Sequence, residues 1–484
     1  MHLPSSAPVG TNAPLHIGPT SEPSEESHGQ EPLPGAAARG EGEDAGGVDY
    51  ISRLPDAILG EIISLLPTKA GVRTQTLASR WRRLWLTAPL NLDLSDADVY
   101  EEALSSLIYW VLGTHPGPAR RFSIPLRDLS LCPAAVDAWL RSKALDNLQE
   151  LELEIQSHGH GCRLPLRDVP KPVSYASPCP CYTQGGRRLP LLASAFRFSA
   201  TLHVATISKC CIVDGMVEAL RFPQLRQLAL EGVEISEGSL HSIIAGCPVV
   251  ECLLLKSIHC SHGFSLRINS PSLISFGFCL SLRELIIEDA PSLKRLLHLS
   301  DRMIDHVSII SAPNLEIVGS IYESNYPKLT VKSLAIDNDK LDLELVINLV
   351  RCFPHLENLY IKTSNESGGK NLWRRKYHNG DIKYLDIRLK TIVLTNYRGI
   401  KSQASFATFF IFNAKMLQVM RFEGGPYKDD AEFIARQQRL LQLEKRASRS
   451  ARFEFSTSIC HCDDLAHIKH VHDLSKADPF KCTC

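Results

Sequence analysis

The stretch L-R-Q-L-A-L-E-G-V-E-I at residues 225–235 is answered by V-E-C-L-L-L-K-S-I at residues 250–258. In both, a short run with leucine at alternate positions ends on a charged residue and a turn, the period-two signature of a strand with one face in a core. Leu228 and Leu253 lie 25 positions apart. The same interval separates Leu334 in V-K-S-L-A-I-D from Leu359 in L-E-N-L-Y-I-K. Further runs of this kind start at Leu148 (L-Q-E-L-E-L-E-I), Leu282 (L-R-E-L-I-I-E-D) and His306 (H-V-S-I-I-S-A-P-N-L-E-I-V).

A period of about 20–29 residues fits a leucine-rich solenoid. Gly238–Cys247 and Leu343–Phe353 place apolar residues at three- and four-residue steps and close with C-P or F-P, predicting a helix inside those repeats. The S-P-S-L and A-P-N-L turns around Pro271 and Pro313 fit shorter repeats without a full helix. No repeat can bury its apolar face alone. Stacking therefore makes the core and leaves a curved parallel sheet as an extended binding surface.

Working outward, Ser157–Leu189 contains H-G-H-G-C, P-K-P and S-P-C-P-C without periodicity and is expected to be a surface loop. Beyond Ile382, L-K-T-I-V-L-T-N-Y-R-G reads as a strand and a glycine turn. S-F-A-T-F-F-I-F-N-A-K-M-L-Q-V-M-R-F then predicts a helix with Phe406, Phe409, Phe410 and Leu417 inward, before a second helix and the short strand A-R-F-E-F. Upstream of the repeats, residues 1–47 are dense in Pro, Gly, Ser, Ala and Glu and are expected to be disordered.

Three short helices are predicted next. Pro55 suits a first helical turn and Asp56 complements its dipole, while Ile58, Leu59, Ile62, Ile63 and Leu66 recur at helical spacing until Pro67 stops the helix. Thr68 is placed to cap the second helix, which Gly71 weakens. The third sets Leu77, Trp81, Leu84 and Trp85 against a solvated face of Arg80, Arg82 and Arg83. A three-helix unit of this size makes a small core and is expected to lean on a partner, with its core separate from that of the repeats.

The run L-P-D-A-I-L-G-E-I-I-S-L-L-P-T-K-A-G-V-R-T-Q-T-L-A-S-R-W-R-R-L-W, residues 54–85, resembles the F-box, in the plant-type version that ends R-W-R-x-L-W. The C-terminal block resembles the FBD domain: its N-A-x-x-L step stands at Asn413, Ala414 and Leu417, while Gln403 and Ala404 replace the acidic residue often found after the Y-x-G turn. The chain is thereby similar to plant F-box/leucine-rich-repeat proteins with an FBD domain. The fold expected is α/β: a three-helix F-box at 48–90, an irregular leucine-rich-repeat solenoid at 91–380 with a loop insertion at 157–189, a small FBD-like domain at 381–457 and a Cys/His-rich tail at 458–484.

That resemblance implies docking to the Skp-type adaptor of a cullin–RING ligase, with Leu54, Pro55, Ile58, Leu59, Ile62, Val72, Leu77 and Trp81 as the contact residues. The repeats would then hold a protein substrate, of unknown identity, near a charged conjugating enzyme. Two alternatives stay open, an interaction scaffold uncoupled from ubiquitination and a metal-binding module acting through the tail.

Composition points the same way. Lys+Arg 53 balances Asp+Glu 53, which disfavours a nucleic-acid or anionic-membrane footprint and favours a protein partner. Neither a secretory leader nor a membrane-spanning run is evident, so a cytoplasmic or nuclear protein is expected. The 15 cysteines lack disulfide-framework spacing, and Cys210, Cys211, Cys247 and Cys252 read as core. No G-x-S-x-G, P-loop, H-E-x-x-H or paired C-x-x-C occurs, so neither enzymatic activity nor a cofactor is expected. The tail concentrates Cys460, His461, Cys462, Asp463, Asp464, His467, His470, His472, Cys482 and Cys484. C-x-C pairs bite awkwardly on a tetrahedral ion, so no metal site is expected there and the tail reads as solvated.

Overall fold

The computed structural model describes residues 50–51, 53–94, 101–115, 118–126, 133–155, 190–217, 220–260, 264–299, 306–320, 329–338, 341–363, 386–424, 431–456 and 466–481. The expected disordered N-terminal 47 residues, the 157–189 loop with its Cys and His residues, Cys460 to Asp464 and Cys482 to Cys484 lie outside them.

Three helices come first, α1 (Asp56–Leu65), α2 (Thr68–Thr74) and α3 (Ser79–Thr87). The strands follow: β1 (Leu90–Asp93), β2 (Ala119–Leu126), β3 (Glu150–Ile155), β4 (Val204–Ser208), β5 (Gln227–Glu231), β6 (Cys252–Lys256), β7 (Phe264–Asn269), β8 (Ser275–Cys279), β9 (Leu282–Asp289), β10 (Arg295–His298), β11 (His306–Ile309), β12 (Ile317–Gly319), β13 (Ser333–Asp337), β14 (Asn358–Lys362), β15 (Thr391–Thr395), β16 (Val419–Glu423) and β17 (Arg452–Ser456). Among the described residues, 14 of them form one parallel sheet, in chain order except that β7, β9 and β11 are left out of it.

The 25-residue intervals of the sequence are the register of this sheet. Leu228 stands opposite Leu253, and Leu334 opposite Leu359. The row continues without a break from Leu92 through Phe122, Leu151 and Ala205 to Leu228, and from Leu359 through Ile392 and Met420 to Phe453. Each strand thus adds one apolar residue to a stripe on the core face, which is how stacked repeats build a common core.

After many strands the next residue takes a left-handed conformation that turns the chain off the sheet. It is Gly232 after β5, but also Lys209, Ser257, Ser320 and Asn396 after β4, β6, β12 and β15. The predicted repeat helices are present as Glu237–Ala245, capped by Ser236, and Leu343–Cys352, capped by Asp342.

The short repeats hold a surprise. The runs at Leu282 and His306, read as solenoid strands, form with β7 a separate three-stranded sheet in place of repeat helices. The main sheet is continued there by β8, β10 and β12, where Phe276 pairs with Leu296 and Leu296 with Val318. These strands are only three to five residues long, too short for a clear alternation.

The N-terminal helices do not keep a core of their own. Leu59, Ile63, Trp81, Leu84 and Trp85 belong to the same apolar cluster as the repeats. Thr68 does not cap α2, whose N-cap is Pro67; its hydroxyl donates to the carbonyls of Asn91 (2.9 Å) and Asp93 (3.0 Å) and accepts from the Asp93 amide (2.8 Å). Gly71 is buried where a Cβ would lie 3.4 Å from the Trp85 indole nitrogen. The glycine that weakens α2 therefore lets Trp85 close against it. The C-terminal block likewise extends the sheet, with β14 pairing to β15 and β16 to β17.

Replacing Thr68 by Val should cost about 1–3 kcal/mol, because the half-buried Asp93 amide and two strand carbonyls lose their partner. Urea unfolding followed by tryptophan emission and by circular dichroism should shift to the same lower midpoint. A shift of the fluorescence transition alone would mean that the helices unfold separately from the sheet.

Candidate functional site

Helix α1 presents two rows of apolar side chains at four-residue steps. Leu59 and Ile63 face inward, Leu59 with no exposure, whereas Ile58 (49% exposed), Ile62 and Leu65 face out. Val72 of α2 and Leu77 of the α2–α3 turn (66% exposed) are also outside the core, and Pro55 is exposed. Its spacing sets Leu77 on the side of the tryptophans, but it stands outside the core. Leu54 is half-buried and Trp81 (7% exposed) is core. Of the eight residues expected to contact a partner, Pro55, Ile58, Ile62, Val72 and Leu77 are on the surface, while Leu59 and Trp81 support it from beneath.

Arg80, expected to be solvated, ties this surface together. Its Nε donates to Asp56 Oδ1 at 2.6 Å and an Nη donates to the Leu54 carbonyl at 2.7 Å, fixing the start of α1 against α3. A cluster of exposed aliphatic side chains on braced helices has the character of a docking patch.

The second feature was not anticipated. Residues 466–481, part of the tail read as solvated, lie on the sheet face opposite the repeat core. Ala466, Ile468, Val471, Leu474 and Phe480 are buried there in a second apolar cluster with Ala229, Cys252, Leu254, Leu297, Leu299, Ala335, Tyr360 and Val393. The segment makes one 3-10 turn, Val471–Ser475, in which the Asp473 carboxylate accepts from the amides of Lys469 and His470, both at 2.8 Å.

Side chains fasten it to the strands. Lys256 Nζ donates to the carbonyls of Ile468 (3.1 Å) and Lys469 (2.9 Å), and the Tyr360 hydroxyl donates to Asp478 (2.8 Å) while its ring meets Phe480 at 4.9 Å. Burial, then the Asp478 carboxylate, push the Tyr360 phenol well up, so it stays a donor. Burial alone would raise Asp473, but the His470 and Lys469 amides and the Lys476 ammonium outweigh it and hold the carboxyl below its ordinary range.

The sequence did carry a signal for this contact. β6 is C-L-L-L-K and β10 is R-L-L-H, runs in which the residue due to face solvent is also apolar and buried. Continuous apolar strands of this kind are covered on both faces.

Elsewhere the chemistry is quiet. Burial pushes the Cys247 thiol up to about 12 and, with the Glu237 carboxylate, the Cys260 thiol to about 11, so neither is a thiolate at neutral pH. Cys210, Cys247 and Cys252 are buried and Cys211 half-buried. Among the described residues there is no cluster of three metal-ligating side chains and no helix long and apolar enough to cross a membrane. A cleft along the strand starts carries the ion pairs Glu316–Lys332 and Glu357–Lys390, 2.8 and 2.7 Å, and so presents no field of one sign.

In the FBD-like block, Gly399 has φ +69° and a Cβ there would fall 2.3 Å from the Gln437 amide nitrogen. Gln437 accepts from the Tyr397 hydroxyl (2.8 Å) and donates to the Gly399 carbonyl (3.2 Å). Gln403, at the position of the missing acid, accepts from the Arg398 amide (2.7 Å) and donates to Thr363 and Asn396, a second contact that a carboxylate could not make. Asn413 donates to the Phe409 carbonyl at 2.7 Å, closing its helix.

A parallel sheet built from stacked strand repeats, with helices covering one face, defines a leucine-rich-repeat solenoid. Residues 179–336 match the family model described as FBD-associated F-box protein At5g56370, LRR repeats, and residues 379–422 match the FBD model. F-box/FBD/LRR-repeat protein At1g13570 of Arabidopsis thaliana is 23% identical over 430 residues, covering 79% of this chain and 93% of that one. F-box/FBD/LRR-repeat protein At4g00160 of the same plant is 25% identical over 464 residues, covering 84% and 94%. Putative F-box/FBD/LRR-repeat protein At5g22610 is 29% identical over 235 residues, covering 47% and 41%. Over most of its length the chain is thus similar to F-box/FBD/LRR-repeat proteins.

Burial first, then the Lys476 and Lys469 ammonium groups, hold His467 below its ordinary value against the opposing pull of Asp478. A base with a depressed folded pKa stabilises the docked tail above the free value and loses that contribution as pH falls from about 6.5 through the folded pKa. Hydrogen-exchange protection of residues 466–481 should therefore drop between about pH 7.5 and about pH 5.5, and less so in His467→Asn. Protection that is flat over this range would show that His467 does not sense tail docking.

Proposed function

We propose that this chain is the non-catalytic substrate receptor of an SCF-type ubiquitin ligase, acting in the cytoplasm or nucleus. Residues 48–90 serve as the F-box that docks on a Skp-type adaptor, and the solenoid with its FBD region holds the protein to be ubiquitinated. The observation that carries this reading is the outward row Ile58, Ile62 and Leu65, with Val72 and Leu77, on helices whose own core is satisfied from the other side. Such side chains remain exposed in the free chain and gain from burial against an apolar partner.

In this role the chain needs no reactive side chain. It raises the local concentration of substrate lysines near a charged conjugating enzyme, and the rate gain comes from proximity. The continuous core of helices and sheet suits that task, because it transmits the position of the adaptor to the substrate without a hinge.

The test is co-purification with a Skp-type adaptor. Ile62→Asp combined with Leu77→Asp should lower adaptor affinity at least a hundredfold and leave the melting temperature near that of the wild type, since both sites are exposed. Trp81→Ala should instead lower the melting temperature, because it empties a core position. Unchanged binding by the folded double variant would remove this face from the interface. A wild-type chain that binds no such adaptor would favour a scaffold uncoupled from ubiquitination.

A further inference from the structure

The sheet face covered by residues 466–481 has a shape that strand formation does not require. Gly277 stands in the middle of β8, yet a Cβ there would lie 2.7 Å from a methyl carbon of Leu474 and 3.1 Å from one of Leu254. Gly319, in β12, would place its Cβ 3.2 Å from the Phe480 ring. Neither glycine has a positive φ, so the backbone makes no demand for glycine at either place. Glycine inside a strand weakens it and marks a close approach by something else. Across the strands the row reads Ala229, Leu254, Gly277, Leu297, Gly319 and Ala335, so small residues alternate with leucines and then run together. The face thus has two dips, at Gly277 and Gly319, between larger apolar side chains, with Leu474 seated in the first and Phe480 in the second.

The polar contacts are spaced to match. Tyr360 donates to Asp478, two residues before Phe480, and Lys256 gathers the carbonyls of Ile468 and Lys469 ahead of the turn. The backbone of the segment pairs within itself, as when the His467 amide donates to the Pro479 carbonyl at 2.9 Å. Its grip on the strands is through side chains, and its cluster is distinct from the repeat core. A segment held in this way covers the face by side-chain packing and adds no strand to the sheet.

We infer that this face is a docking site for a protein segment carrying an aliphatic anchor, an acid four positions on and an aromatic two beyond that, and that Leu474, Asp478 and Phe480 fill it in cis as a competing ligand. The inference deepens the receptor reading, since it assigns a surface and a ligand chemistry to the repeats. Its test does not involve the adaptor, so the two can fail separately. The partner must displace the tail, which makes the intact chain a weak binder and any event that releases the tail an activator.

The probe is a fluorescein-labelled peptide of residues 466–481, read by anisotropy. The full chain carrying Leu474→Ala and Phe480→Ala should bind it at least tenfold more tightly than the wild-type chain does. A peptide with the same two substitutions should not bind. Adding Gly277→Val to the double variant should cost at least tenfold in affinity, by filling the first dip. Equal affinity of wild-type and double-variant chains, or no binding by a double variant that keeps its circular dichroism, would overturn the inference. In the wild-type chain, where no substitution disturbs the fold, millimolar unlabelled peptide should raise hydrogen exchange in the chain's own residues 466–481; unaltered exchange would also overturn it.

Discussion

Register in the long parallel sheet is the constraint on which everything else rests. One apolar residue per strand stacks on its neighbour from Leu92 to Phe453, and a slip by one position would send the whole stripe to the opposite face. That opposite face has its own demands in the middle of the sheet, where small residues and glycines receive the tail. Both faces of β6, β8 and β10 are therefore specified, the condition under which a parallel sheet is most firmly registered. Toward β1 to β3 the same face is instead polar, with Arg121 reaching Glu150 (2.8 Å) and Glu152 (2.6 Å) on the neighbouring strand.

The N-terminal helices inherit this order. Because Thr68 is bonded to β1 and Trp85 closes on Gly71, their outward row is positioned by the sheet and not by a free-standing bundle. The helices and the sheet share one core, so the outward row of α1 is held in a fixed relation to the strands. The same logic extends to the other end, where the FBD region adds β15, β16 and β17 to the sheet and braces them with the Tyr397–Gln437 contact.

What could be read beforehand was what repeats or follows a strong local rule. The 25-residue leucine interval became strand pairing at Leu228–Leu253 and Leu334–Leu359, and the helical period from Ile58 to Leu66 became α1. Misreadings arose where two surfaces compete for one pattern. The runs at Leu282 and His306 have the alternation of any half-buried strand, and nothing local says which sheet they join. Leu77 follows the apolar spacing of α3 but precedes its first turn at Ser79, so it projects outward. Arg80 looked solvated because its partner Asp56 is 24 residues away. The tail reads as solvated because it is rich in polar Cys, His and Asp residues, while the residues that dock it are Ile468, Val471, Leu474 and Phe480, opposite the unbroken apolar run at Leu253 to Leu255.

Affinity purification of the full chain from native tissue, with and without proteasome inhibition, followed by mass spectrometry, tests the receptor reading most directly. The expected result is a Skp-type adaptor and a cullin in both samples, together with at least one further protein that accumulates when the proteasome is blocked. Recovery of a folded chain with binding proteins but neither adaptor nor cullin, in either condition, would contradict it.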